Sequence, residues 1–142
     1  MATLSKAFDH YQTAEHLLHT TLPLAKDPKI LLGIVKSISN CLENALTLIL
    51  KKEKITVPEG LLKKINTVRP FAARYRLSAE NLAFMLRIHE ILHLQKCSPM
   101  EFKRGSTHII CSDDYSLEIL SAKDIRGFLQ HVKKILHDLK SV

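Results

Sequence analysis

Leu4, Ala7, Phe8, Tyr11, Ala14, Leu18 and Leu22 recur at three- and four-residue steps, which gathers them on one face of a helix predicted to end near Pro23. Asp27 and Pro28 then restart the chain as a helix. Asp can cap free N–H groups, and Pro fits the first helical position, where its missing donor costs nothing. From there Leu31, Val35, Ile38, Leu42, Ala45, Leu46 and Ile49 form a long stripe that ends at the charged residues 51–54. These two helices should form a hairpin. Residues 54–77 are choppier, because Pro58, Gly60 and Pro70 interrupt them, and the pattern predicts a short helix at 61–68 followed by an irregular bridge.

Ser78 is a good cap for a further helix through Leu82, Met85, Leu86, Ile88 and Leu92 to about Lys96. Phe84 and Ile91 fall on its other side. A helix apolar on two faces is either central in a bundle or shared with another subunit. After Ser98, Pro99 and Gly105 the period changes, and residues 108–111 and 115–119 read as two short strands around Ser112, Asp113 and Asp114. Ser121 with Asp124 resembles a capping box. Ile125, Phe128, Leu129, Val132, Ile135, Leu136 and Leu139 then give the cleanest amphipathic stripe of the chain. The expected fold is mainly α: a single domain over residues 1–142, an antiparallel four- to five-helix bundle with a small β-hairpin before the C-terminal helix.

Composition supports an ordinary globular domain, with 46% hydrophobic and 25% charged residues. Lys6, Asp9, His10, Glu15 and His16 break up the first two dozen residues, so no secretory signal core is expected. No apolar run approaches the ~20 residues that a bilayer demands, so no membrane association is expected. Cys41, Cys97 and Cys111 are an odd, widely spaced set without a CxxC pair, which suits a reducing, cytoplasmic compartment.

Charge changes the picture more. Residues 51–104 hold 12 Lys/Arg against 5 Asp/Glu, whereas residues 1–50 carry 4 against 4 and residues 105–142 carry 5 against 5. The net charge of +7 therefore sits in the middle of the chain, a localised field of the kind where an anionic partner docks. The belt comprises Lys51, Lys52, Lys54, Lys63, Lys64, Arg69, Arg74, Arg76, Lys103 and Arg104, interleaved with Phe71, Tyr75 and Phe102. Cations neutralise phosphates and release counterions, and aromatic rings can stack on unpaired bases, so RNA is the expected partner. The plainer explanation is a set of solvated helix ends, with lysines favourably placed against the helix dipole.

Two motifs add candidate chemistry. His89, Glu90 and His93 spell HExxH, which on a helix sets two imidazoles one turn apart for zinc with a Glu to activate water, and Cys97 extends the line by a turn. The Gly and His of the longer zincin pattern do not follow, and hydrogen-bonded histidines are the ordinary explanation, so no metal site is expected. Arg87 is separated from His93 by five residues, and Arg126 from His131 by four. This spacing, with the helical order, resembles the Arg-(four to six residues)-His motif of HEPN domains.

The resemblance implies a small antiparallel helical bundle. It also implies a metal-independent ribonuclease working as a homodimer, with paired Arg and His residues across the interface. Arg87 would hold the scissile phosphate and His93 would act as general acid or base. The family favours Asn, Asp or His directly after the arginine, where this chain has Ile88 and Gly127. On an uninterrupted helix Arg87 and His93 point about 120° apart, and Arg126 and His131 about 140° apart. No P-loop, dinucleotide fingerprint or GxSxG elbow is present in the sequence, and no cofactor is expected. The sequence thus favours an RNA- or nucleotide-binding domain, with ribonuclease action as its enzymatic extension. A non-catalytic protein-interaction module and a zinc hydrolase using residues 89–93 are the alternatives.

Overall fold

The helices form where the hydrophobic stripes place them. In the computed structural model, which describes residues 2–141, α1 (Ala2–His16) runs into a π turn (Leu17–Thr21) and a short α2 (Leu22–Ala25). The helical path continues past Pro23, where the sequence pattern predicts its end. Pro23 has no N–H to give the preceding turn, and the wider π turn immediately before it lets the chain pass without an unpaired clash. The path ends at Lys26, in the left-handed region with φ 54°. Asp27 Oδ1 accepts from the Lys29 amide at 3.0 Å and opens α3 (Lys29–Lys52).

α3 is the axis of the bundle. It packs against α1, against the following α4 (Leu61–Val68), and against α5 (Ala79–Cys97) and α6 (Ala122–Lys140). That is why its buried set is wider than the predicted stripe and takes in Leu32, Ile34, Leu48 and Leu50 as well. Burial pushes the Cys41 thiol up to about 12, so it is a protonated core residue. The "bridge" after α4 is a 3₁₀ helix (Arg69–Tyr75), and its register along α3 is set by Lys64 on Glu43 and by Arg74 and Tyr75 on Glu53.

Both faces of α5 are covered within the chain. Leu82, Met85, Ile88 and Ile91 join the core, while the Phe84 ring stacks on His131 of α6 at 4.3 Å and meets Phe128 at 5.8 Å. The second apolar face therefore belongs to α6, and needs no second subunit. The caps are as expected: Ser78 Oγ accepts from the Asn81 amide, and Ser121 and Asp124 form a reciprocal capping box.

The predicted hairpin is present and gains a third strand. β1 (Met100–Arg104), β2 (Thr107–Cys111) and β3 (Leu117–Leu120) form an antiparallel meander in the order β1-β2-β3. Gly105 supplies the positive φ that the tight β1–β2 turn requires. Ile110 and Leu120 on the inner face enter the core. No helix among the described residues is long and apolar enough to cross a membrane.

Two helical segments end in the same way. Ile55 N–H reaches Leu50 O at 3.0 Å and Lys54 N–H reaches Lys51 O, while Leu77 and Arg76 make the equivalent bonds to Ala72 and Ala73. These are Schellman-type ends, each with an apolar residue tucked in after the left-handed position. Glycine usually holds that position, yet here Lys54 (φ 58°) and Arg76 (φ 59°) stand there. Removing the left-handed penalty at position 54, less the backbone entropy that glycine costs, is expected to raise stability by about 0.5–1 kcal/mol in Lys54→Gly. Urea unfolding of the two proteins checks this, and a lower midpoint for the variant would contradict it.

Candidate functional site

The structure divides the ten cations of the belt. Lys103 and Arg104 lie at the β1–β2 turn, and that turn's Gly105 and Ser106 share a groove with Lys26 and Pro28 at the start of α3. Lys51, Lys52 and Lys54 lie at the other end of the same helix, and 24 residues of α-helix span roughly 36 Å. The belt is contiguous in sequence but is two patches in space.

Of the remaining cations, Lys64 is largely buried against α3, 2.9 Å from Glu43, so its charge is neutralised. Arg74 lies 3.2 Å from both oxygens of Glu53 and also approaches the Phe71 ring at 6.0 Å. Tyr75 is buried, donates its hydroxyl to Glu53 at 3.0 Å, and has its ionisation pushed up by burial and then by that bond. Glu53 thereby fastens the end of the 3₁₀ helix to the end of α3. Among the described residues, Lys51, Lys52, Lys54, Lys63, Arg69 and Arg76 are exposed and form no ion pair. The interleaved aromatics are not a stacking platform: Tyr75 is in the core, Phe71 is half-buried, and Phe102 lies on the distant sheet.

Arg76 opens onto a groove of about 400 Å³ that the belt alone did not announce, lined also by Asn81, Gln130, His131 and Lys134 and by the carboxylates of Glu80 and Asp138. Asn81 ties it together. Its Nδ2 donates to Arg76 O at 3.5 Å, and its Oδ1 lies 2.8 Å from His131 Nε2. Burial holds the His131 pKa below its ordinary 6.5, Lys134 adds to the depression, and Glu80 opposes it. A neutral Nε2–H donating to Asn81 follows from that arrangement.

Because folding depresses this pKa, the contribution of His131 is fully present above about pH 6.5 and is lost as pH falls through the folded-state value. In His131→Phe, which keeps a ring on Phe84, the stability drop between about pH 7.5 and pH 5.5 is expected to be smaller than in the wild type. Parallel urea curves at the two pH values measure it, and an unchanged drop would contradict it. The sequence flagged His131 only through its spacing from Arg126. The helpful signal was the Asn81 one turn into the Ser78-capped helix, which has no meaning until α5 and α6 are packed.

The candidate catalytic pair on α5 is not assembled. Arg87 Nη2 sits 2.6 Å from Glu118 Oε1 on β3. That buried oxygen has no well-directed hydrogen bond, so the contact is one of charge rather than of aligned donor and acceptor. His93 lies in a different setting, a groove of about 490 Å³ whose lining includes His89, Cys97, Asp113 and Asp114 but not Arg87. The His89 and His93 rings are stacked at 5.9 Å, and Cys97 Sγ is 3.9 Å from His93 Nε2, so the three side chains do align as the spacing required. Among the described residues, however, no three His, Cys, Asp or Glu side chains come close enough to hold a metal ion. Ser112 and Ser116 hold Asp114 in the β2–β3 turn and bring its pKa down to about 2. Comparison with protein-family models, with curated proteins and with solved structures finds no match to the chain.

Proposed function

We propose that the protein binds RNA through its phosphate backbone, across the end of the bundle where α3 and the 3₁₀ helix finish. Lys51, Lys52, Lys54 and Arg76 carry the charge, Lys134 adds to it at the His131 groove, where Glu80 and Asp138 offset part of it, and Lys63 and Arg69 are further exposed cations on the α4 side. One observation carries the reading: Glu53 spends its charge on Arg74 and Tyr75, which ties the end of the 3₁₀ helix, one residue before Arg76, to the end of α3 that carries the three lysines, and none of these four cations has a carboxylate partner among the described residues. With no exposed aromatic ring at this end among the described residues, contact is to phosphates and sugars. Binding is therefore indifferent to sequence and steep in salt.

Cleavage is not part of this reading, because Arg87 is engaged by Glu118 and stands outside the groove that His93 lines. Fluorescence anisotropy with a single-stranded RNA tests it. If about five phosphates are neutralised, raising salt from about 50 to about 200 mM should weaken binding roughly 100-fold. No binding at the lower salt, or binding that ignores salt, would remove the reading.

A further inference from the structure

The sheet has two faces, and only one is covered. Residues directly opposite one another across antiparallel strands share a face, so Met100, Cys111 and Leu117 form one row and Phe102, Ile109 and Ile119 the next. Both rows lie on the side away from the bundle, since Ile110, Glu118 and Leu120, which alternate with them, turn to the core or to Arg87. Met100 is 58% exposed, Phe102 40%, Leu117 52% and Ile119 50%, whereas Ile109 in the middle is 2% exposed and lies outside the main core. Ile109 stands between its two cross-strand neighbours, Phe102 and Ile119. A small second hydrophobic cluster thus faces water.

We propose that a second copy of this chain docks on this face, sheet against sheet, with the strands of the two copies antiparallel. Area supports it first. Four side chains left about half exposed present roughly 400 Å² of apolar surface, the size of the largest patch on a typical monomer, which is often functional. Tyr115, 87% exposed at the strand end, and the polar strand ends extend the patch toward the ~800 Å² per partner of a standard interface. Charge then selects the occupant and its orientation. Arg104 closes the outer face at the β1–β2 turn, while Asp113 and Asp114, which also line the groove against α5, occupy the exposed β2–β3 turn at the other end of the strands. A two-fold axis across the strands brings the basic end of each sheet over the acidic end of the other, whereas an axis along the strands would set like charges together. Pairing through the β1 edge is disfavoured by the charges of Glu101, Lys103 and Arg104 along that short strand.

The proposal is independent of RNA binding, which uses the far end of α3. The test is sedimentation equilibrium of the full chain between about 1 µM and about 500 µM, with circular dichroism to show that each variant is folded. The wild type should pass from monomer to dimer over that range. Ile119→Lys should weaken the dimer about 30-fold or more, as loss of a central apolar contact does. Arg104→Asp and Asp113→Lys should each weaken it about 5- to 10-fold, and the two together should recover most of that loss. A monomer at every concentration, or a dimer indifferent to Ile119→Lys, would overturn the proposal. A dimer weakened by both charge reversals without recovery in the double variant would overturn the antiparallel arrangement.

Discussion

Replacing Lys51, Lys52, Lys54 and Arg76 together by alanine is expected to weaken RNA binding by on the order of 10²–10³ at about 100 mM salt. Each phosphate contact on a single strand contributes about 0.7 to the slope of log affinity against log salt, so four lost contacts should flatten that slope by about 2.8. The affinity loss and the slope change therefore come from one count and must agree. All four side chains are exposed, so stability should move little, with the positions 54 and 76 penalty unrelieved because alanine also resists the left-handed region. Lys103→Ala with Arg104→Ala is the matched control at the opposite pole and should leave RNA affinity within about twofold. Equal losses in both variants would mean that general charge, and no particular end of the bundle, attracts the RNA.

Ile38→Ala should cost about 2–5 kcal/mol, a large part of the roughly 5–15 kcal/mol that holds a domain together. Ile38 is fully buried near the middle of α3, where neighbouring helices close around it and cannot easily collapse into the space that a truncated side chain leaves. Leu24, 81% exposed on α2, is the contrast, and Leu24→Ala should shift stability by no more than about 0.5 kcal/mol. Urea unfolding measures both. A mild effect at Ile38 would mean that α3 is not the axis around which the core is built.

Much of this architecture was legible because it is written in local periods. The stripes of α1, α3 and α6, the short helix at Leu61–Val68 and the caps at Ser78 and Ser121 each depend on residues within a few positions of one another. What escaped depends on packing. β1 was missed because Met100, Phe102 and Arg104 alternate with Glu101 and Lys103 on an exposed edge, which has no buried face of its own to mark it. The second apolar face of α5 was readable, but its cover, Phe128 and His131 of α6, was not.

The site was legible only in part, for the same reason. Net charge along the sequence picked out Lys51, Lys52, Lys54 and Arg76 as candidates, but could not show that Lys64 and Arg74 are neutralised by Glu43 and Glu53, each 21 positions away. Nor could it show that Lys103 and Arg104 are carried by the sheet to the far pole. The Arg87 and His93 spacing put both residues on one helix as expected, and the helix then turned them into separate surroundings, one against β3 and the other beside His89.

The most direct test is a nuclear magnetic resonance titration of the isotopically labelled protein with a short single-stranded RNA at low salt. Binding at the end of the bundle predicts amide shifts at Lys51, Lys52, Lys54, Arg76, Asn81 and His131, with residues 103–105 unmoved. Shifts confined to the β1–β2 turn or to the His89 and His93 groove, or no shifts at all, would contradict it.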